Sequence, residues 1–433
     1  MVWALARLRI SKAPYLAVST ALALSAAGFS SHSSAADLPI SGTGGQGLLI
    51  GGWQLSPTLF AGAVYNSNVN QTNNPVGSWG ERVTPAFTAN LDNGIYKTSL
   101  YGTADLQNYS NSSANNTVFA NAGFTQSYLP TPDLTFQLSG TYNRSLDVFG
   151  SSALAPANTF LPTTPFPPIA TTTVSPQANA NPSNQFSGAL SVDKSFGRTF
   201  VGLTTTVANT QSSGNAASSG NAASTTTFSG TTYTITQRTG FNLTPQIYAF
   251  VDPSVNWQRS ESATQNANGY RTTAGVGTLA EGIWKGEVYG GYQVEKYDVA
   301  GTSNSPVFGA RILYSPTPIW NFTAFVDESF STTANSTTGA TGSGSHVTIA
   351  LVNVEYKGLP PDWTTSARFG YVRNAFVSTS EIDNGWLAGA AIRYEFWRNF
   401  GIMLDYQFKS VNSNVALQSF NQQMISLGVS YKY

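Results

Sequence analysis

Few side chains in this sequence have the chemistry and the spacing of a catalytic centre. The chain has no cysteine and only two histidines, His32 and His346, which excludes thiol catalysis, disulfide bonds and cysteine–histidine zinc sites. His346 stands next to Ser343 and Ser345, where it could act as a general base near a rim. An exposed polar position at a loop edge accounts for the same residues, and we favour it. We therefore expect no enzyme, no cofactor and no metal.

Two further groups of residues lack the arrangement that their chemistry would need. The glycine-rich runs 44–47 and 339–344 do not precede helices, so they are not phosphate-binding loops. Asp133 and Asp147 fall at opposite ends of one predicted strand, which is too far apart for them to cooperate as acid and base.

The composition narrows the class of protein. Of 433 residues only 10% are charged, with 21 basic and 21 acidic side chains, whereas 41% are hydrophobic. Soluble proteins carry about 25% charged residues, and here neutral polar residues take the place of the missing charge. This balance excludes a nucleic-acid-binding protein, which would be strongly basic, and also a charged coiled coil or an acidic disordered chain.

The N-terminus has the organisation of a secretory signal peptide. Arg7, Arg9 and Lys12 precede an apolar stretch, Tyr15 to Ala27, that is too short for a membrane anchor. Small residues follow, and we predict cleavage after Ala36; an amphipathic helix of the mature protein is the alternative. No later segment has 18 consecutive apolar residues, so no transmembrane helix is predicted.

Most of the remaining chain alternates between apolar and polar residues. Clear examples are the segments 134–143, 400–408 and 425–433. Strict alternation predicts strands with one apolar and one polar face. About 18 such strands are predicted, at 53–66, 80–91, 95–108, 117–129, 133–146, 185–194, 198–209, 228–242, 245–258, 269–280, 283–296, 305–314, 318–330, 345–357, 363–374, 385–396, 399–410 and 421–433.

The links between these strands alternate in length. Links after even-numbered strands are short, as at 92–94, whereas those after odd-numbered strands are long, as at 66–79, 147–184 and 210–227. Short periplasmic turns and long extracellular loops are typical of outer-membrane barrels, and without helices only a closed barrel satisfies the backbone in lipid.

We therefore predict an all-β protein, a transmembrane antiparallel up-and-down β-barrel of about 18 strands over residues 53–433. A short periplasmic segment, residues 37–52, precedes it, and the even strand number returns both termini to the periplasm. A water-soluble exported β-sandwich is the alternative, but it would not require this alternation in link length.

The charged residues provide a partly independent test of the two faces. Lipid-facing charge is expected only near strand ends, as at Arg259, Lys296 and Glu328, because a basic side chain at the lipid midplane costs roughly 2–4 kcal/mol. The mid-strand charges do share the polar face, which we assign to the lumen: Arg82, Lys97, Asp105, Arg238, Asp252, Arg271, Lys285, Glu287, Glu295, Arg311, Asp327, Glu355, Arg368, Arg393, Glu395 and Asp405.

Eight of these lumen charges are basic and eight are acidic. A ring of one sign would select ions of the other sign, so a balanced lumen predicts weak ion selectivity. The alternative is that the charges pair across strands and stabilise the wall. Pro85 and Pro253 fall inside predicted strands, where we expect β-bulges or shifted strand boundaries.

Two segments resemble bacterial outer-membrane proteins. The C-terminal residues Leu427, Val429, Tyr431 and Tyr433 resemble the signal that the barrel-insertion machinery recognises. The segment 59–69, together with 83–85, is similar to a family of outer-membrane β-barrel porins, some of which are associated with capsule or exopolysaccharide secretion. The resemblance implies a barrel surrounded by outer-membrane lipid and lipopolysaccharide, and implies little about the substrate.

One element of trimeric porins is missing. The acidic constriction-loop motif Pro-Glu-Phe-Gly-Gly does not occur in this sequence. The link 147–184 could fold inward as a constriction, although we favour a solvated surface loop.

These observations favour a channel for passive diffusion of small polar solutes, with a link to surface-polysaccharide export as a further hypothesis. The alternative is a non-conducting structural or surface-interaction barrel whose extracellular loops bind partners.

Overall fold

A computed structural model describes residues 47–111, 116–145, 183–212, 229–261, 266–278, 283–298, 301–331, 344–358, 362–377, 380–416 and 418–433. The predicted signal peptide with its cleavage at Ala36 lies outside these residues, as does nearly all of the link 147–184. Within the described residues no helix is long and apolar enough to cross a membrane.

The described chain consists of antiparallel strands. They are β1 Leu48–Ile50, β2 Trp53–Asn66, β3 Ser78–Asp92, β4 Tyr96–Tyr109, β5 Thr117–Thr131, β6 Leu134–Ser145, β7 Ser183–Phe196, β8 Thr199–Ser212, β9 Ser229–Asn242, β10 Ile247–Ser260, β11 Ala267–Thr278, β12 Trp284–Tyr297, β13 Gly301–Thr317, β14 Trp320–Ser331, β15 Ser345–Tyr356, β16 Trp363–Phe376, β17 Ile382–Trp397, β18 Phe400–Ser413 and β19 Phe420–Lys432.

Strands β2 to β19 form a closed barrel. Each strand pairs with the next one along the chain, and β19 pairs with β2 from Met424 opposite Asn66 to Lys432 opposite Thr58. Closure leaves no free sheet edge, which lipid could not hydrate. The predicted 18-strand antiparallel barrel is confirmed, and every predicted strand is present with its ends within about four residues.

The short strand β1 is an addition to the ring. Leu48–Ile50 pairs with the first residues of β2 through Gly51 and Gly52, whose φ angles are 57° and 89°. Two consecutive positive φ angles are those of a type I′ hairpin turn. Because β19 pairs with β2 only as far as Thr58, β1 covers the part of that edge that β19 leaves open. The sequence analysis had placed this segment before the barrel.

The bulges expected at the two internal prolines are absent. Pro85 and Pro253 lie inside β3 and β10, and the pairing register is the same before and after each of them. Each proline interrupts the pairing only on one side, toward β4 and β9 respectively. The missing N–H therefore affects one ladder, while the other ladder holds the strand in register.

The links differ between the two ends of the barrel, as predicted, but less regularly. At one end, the short-turn end, links have two to six residues; at the other, the long-loop end, they range from three to thirty-seven. The prediction that every link at this end is long is wrong for 261–266, 298–300, 377–381 and 414–419. The strands extend further than their alternation indicated, as where β13 begins at Gly301.

Large apolar side chains cover the outer face of the barrel. Leu427, Leu404 and Val288 are about half exposed in mid-strand, which is what a lipid-facing surface requires. Near the short-turn end outward aromatic rings pack against each other across strands, with the ring centroids of Trp320 and Tyr356 4.3 Å apart. Further pairs are Tyr96–Tyr128, Trp363–Tyr394 and Phe400–Tyr431. Such a girdle marks a membrane interface.

The assignment of faces predicts a difference between two positions of β18. Leu404→Arg places a charge on the outer face in mid-strand, and we expect it to lower the free energy of unfolding in lipid vesicles by about 2–4 kcal/mol. Gln407→Arg introduces the same side chain on the inner face near Asp405. Urea unfolding should show a smaller loss for Gln407→Arg, and equal losses would contradict the assignment.

Candidate functional site

The inner face of the barrel carries most of the predicted lumen charges as buried side chains. Arg82, Asp105, Arg238, Asp252, Arg271, Lys285, Glu287, Glu295, Arg311, Asp327, Arg393 and Asp405 are all buried. Glu355, Arg368 and Glu395 are partly buried. Lys97 differs, because it lies at the short-turn rim, where its half-exposed amine is 3.0 Å from Asp92.

A first ion cluster lies on the part of the wall where the barrel closes. Arg82 on β3 donates from Nε and Nη2 to both carboxylate oxygens of Asp105 on β4, at 3.0–3.2 Å. Its Nη1 reaches across β2, 3.1 Å from Ser426 Oγ on β19 and 3.6 Å from Asp405 on β18. Thr84 and Gln107 donate to Asp105 as well. One guanidinium therefore joins both sides of the closure.

A second ion cluster occupies the wall from β9 to β13. Arg238 on β9 bonds Asp252 at 2.8 Å and Glu287 on β12 at 3.3 Å, and Arg311 on β13 bonds the same Glu287 oxygen at 3.0 Å. Tyr248 donates to the other oxygen of Glu287 at 2.6 Å. Two cations thus share one carboxylate, and charge-assisted hydrogen bonds fix all of them against the wall.

The second cluster continues onto β14. Arg271 lies 3.7 Å from Asp327, and the hydroxyl of Tyr289 donates to the same Asp327 oxygen. Paired charges of this kind present little net field to a passing ion. The structure thus adopts the alternative in which lumen charges pair across strands, in both clusters.

Glycines let inward aromatic rings lie flat along this wall. A Cβ atom added to Gly277 would collide with the ring of Tyr248 from the neighbouring strand, and one added to Gly275 would lie 2.7 Å from Phe250. The ring of Tyr289 covers Gly309 in the same way. Glycine inside a strand often marks such a close approach. The large side chains of Tyr248, Phe250 and Tyr289 therefore pack along the wall over these glycines.

Four of the remaining predicted charges also have polar or charged neighbours. Glu295 accepts hydrogen bonds from Asn256 at 3.2 Å and Gln293 at 3.0 Å. Glu355 lies 3.4 Å from Lys357, and Arg393 lies 3.3 Å from Glu395. Arg368 lies along the wall next to Gly389.

Several buried polar groups are absent from the predicted set of lumen charges. Lys409 on β18 has the lumen parity, donates to Gln71 at 3.2 Å and lies 5.1 Å from the ring of Phe420. Its parity alone would have identified it. Glu381 and Asp383 are buried as well. They precede the predicted strand 385–396, whereas β17 begins at Ile382.

One hairpin leaves the wall and bends into the barrel at the long-loop end. β14 pairs with β13 only up to Glu328, and beyond it the backbone of Phe330 exchanges hydrogen bonds of 3.1 and 3.3 Å with the inner-face side chain of Gln293 on β12. Phe330 is 2% exposed although its parity is that of lipid-facing residues. We call residues 329–331 and 345–347 the inward hairpin segment.

His346 belongs to this segment and packs against the wall. Its Nδ1 is 3.0 Å from Ser305 Oγ, and its ring meets Phe330 edge to face at 5.3 Å. Ser345 points to the opposite face of β15, and Ser343 lies outside the described residues. Ser305 is 2% exposed, so a substrate carbonyl cannot reach its hydroxyl. The contact therefore fits a structural role for His346.

The inner-face contacts run along the wall. The ion pairs and side-chain hydrogen bonds described above lie within one strand or join strands at most three positions apart around the ring, whereas opposite walls of the barrel are nine strands apart. Barrels of 16–18 strands enclose an aqueous channel. The contacts that stabilise this wall are thus compatible with an open centre.

The family of the chain can now be stated. Over residues 42–433 the sequence matches the family described as "Putative beta-barrel porin 2". The chain belongs to this family. It is a porin-like outer-membrane β-barrel, as the sequence pattern predicted.

Among solved structures the chain is similar to three outer-membrane proteins of Pseudomonas aeruginosa. For opdK the identity is 11%, covering 88% of this chain and 99% of that chain, with a TM-score of 0.40. For OccK3 (OpdO) the identity is 12%, covering 89% of this chain and 96% of that chain, with a TM-score of 0.43. For OccK2 (OpdF) the identity is 11%, covering 90% of this chain and 99% of that chain, with a TM-score of 0.42. No curated protein matches the sequence.

The first ion cluster should contribute to the free energy of unfolding of the barrel. Arg82→Met leaves the buried carboxylate of Asp105 without its cation, and breaking a buried pair in this way costs about 3–5 kcal/mol. The double variant Arg82→Met, Asp105→Leu removes both charges and should recover much of that loss. Urea unfolding of the two variants measures both effects. A double variant no more stable than Arg82→Met would contradict this account of the cluster.

Proposed function

We propose that the protein is a passive channel of low ion selectivity for small uncharged polar solutes. The observation that carries the proposal is that the buried charges of both ion clusters are paired within the wall. Three arginines face three carboxylates in the second cluster, and Arg82 joins two carboxylates in the first. The lumen then offers hydroxyl and amide groups to a solute rather than a fixed charge. Hydrated sugars and similar solutes can exchange hydrogen bonds with such groups.

We infer that the long-loop end faces the outside of the cell and that both termini are periplasmic. Charged side chains with outward parity cluster within about four residues of that end, at Glu81, Arg144, Arg259, Lys296, Glu328 and Arg373. Most are basic, which suits an outer leaflet of phosphate-bearing lipopolysaccharide. Outward aromatic rings lie at both ends, as at Trp320 and Tyr356 near the short turns and at Tyr65 and Trp79 near the long loops, which suits a girdle at each membrane interface.

The C-terminal strand supports the proposed contact with the barrel-insertion machinery. Leu427 and Val429 are about half exposed on the outer face of β19, and Tyr433 is exposed at its end. These side chains are accessible on the strand that completes the ring. Signal cleavage after Ala36, a link to polysaccharide export and the absence of enzymatic activity stay predictions from the sequence.

The inward hairpin segment narrows the lumen at its outer end, and it therefore gives weight to the second candidate function. If the segment closed the lumen, the protein would be a non-conducting barrel that presents its loops to partners. Because residues 345–347 stay paired with β16, the segment remains beside the wall, and we favour a constriction over a plug.

Swelling of liposomes that contain the purified barrel distinguishes the two functions. We expect influx of neutral sugars at rates that fall as sugar size rises, with empty liposomes as the control. Heat-modifiable mobility on a gel first establishes that the barrel is folded. A folded barrel that admits no sugar of any size would overturn the channel and support the non-conducting alternative.

The inward hairpin segment should restrict the conductance of the channel. Gln293→Leu removes both hydrogen bonds to the Phe330 backbone, and we expect a larger or more variable single-channel conductance because the inward hairpin segment loses an anchor. Gln137→Leu is the matched control, since Gln137 is also buried on the inner face but bonds Ser127 near the short-turn end. The same conductance in the two variants would show that the segment does not restrict the pore.

A further inference from the structure

A group of buried oxygen-bearing side chains lies at the long-loop end of β15, β16 and β17. Asn374 is 0% exposed, Glu381 2%, Asp383 3% and Ser345 0%. Two carboxylates in this group lie within a few residues of each other, away from both ion clusters. The proposed channel function does not use any of these four residues.

Strand register places the four side chains on the inner face of three adjacent strands, around the buried side chain of Phe376. Asn374 on β16 is directly opposite Asp383 on β17, and side chains in such pairs have Cβ atoms about 4.5–5.5 Å apart. Ser345 is opposite Phe376, one diagonal step from Asn374. The carbonyl of Glu381 accepts a hydrogen bond from Phe376 N at 3.1 Å, so Glu381 lies beside that same pair.

Several polar atoms of this group have no hydrogen-bond partner within the described part of the chain. They are both amide atoms of Asn374, Oδ1 of Asp383 and Oγ of Ser345. A buried polar atom without a partner costs about 1–3 kcal/mol, and a charged one costs more. A fully buried amide with both ends unsatisfied, facing a buried carboxylate, indicates that the site takes a ligand.

We propose that these residues bind one calcium ion. Its ligands would be the carboxylates of Glu381 and Asp383, the amide oxygen of Asn374 and the hydroxyl of Ser345. All four supply oxygen, which is the donor that Ca²⁺ and Mg²⁺ prefer, and no nitrogen or sulfur ligand that would favour zinc is among them. Two carboxylates match the charge of a divalent cation.

The burial of the group favours calcium over magnesium. Mg²⁺ requires regular octahedral geometry and usually keeps several water molecules, whereas Ca²⁺ accepts six to eight oxygens in flexible geometry. Side chains on three different strands form an irregular set of ligands. The ion would also join β16 and β17 to the inward hairpin segment, because Ser345 belongs to that segment.

The test is calorimetric titration of the folded barrel in detergent free of lipopolysaccharide, after removal of metal with EDTA. We expect one Ca²⁺ per chain with a Kd no weaker than about 10⁻³ M, the range of extracellular calcium modules. Asp383→Asn should weaken binding by more than about tenfold because it removes a ligand charge. Asp92→Asn is the matched control, since Asp92 is exposed at the short-turn rim, and should bind as the parent does.

Thermal unfolding provides a second readout that does not depend on calorimetric heat. Without metal, Asp383→Asn should be at least as stable as the parent, because it removes an unpaired buried charge. With calcium, the parent should gain stability while Asp383→Asn should not. The proposal is overturned if the folded parent binds no calcium, if Asp383→Asn binds it equally well, or if Mg²⁺ binds more tightly than Ca²⁺.

Discussion

The constraint on which the structure depends is that backbone N–H and C=O groups have no partner in lipid except one another. Eighteen antiparallel strands meet this constraint only because β19 pairs with β2 and leaves no edge. Arg82 strengthens this closure from inside, since it reaches Asp105 on one side and Ser426 and Asp405 on the other. Backbone pairing and a buried charge network therefore stabilise the same seam.

Once the ring is closed, the alternation of apolar and polar residues along each strand determines which side chains face lipid and which face the lumen. The outer face is apolar because charge is costly in hydrocarbon, and the inner face carries the charges with their partners. Glycines such as Gly277 and Gly309 let the rings of Tyr248 and Tyr289 lie along the wall. The wall is thus stable by itself, and the solute path does not need a charged constriction.

Much of this could be predicted from the sequence, because alternation depends only on local strand geometry. The partners of each charge could not, since Arg238 meets Glu287 three strands away and that contact depends on the stagger of the whole ring. Phe330 has lipid-facing parity and yet is buried, because β14 leaves the wall after Glu328. The β-bulges expected at Pro85 and Pro253 are absent, because the intact ladder on the other side of each proline is enough to keep the strand in register.

The central claim is that the barrel is open and that its lumen charges are neutralised within the wall. The reversal potential of single channels in a KCl gradient tests this claim most directly. Conducting channels with a reversal potential close to zero are expected, because neither ion meets an unpaired ring of charge. A reversal potential near the limit for pure K⁺ or pure Cl⁻ conduction would contradict the claim.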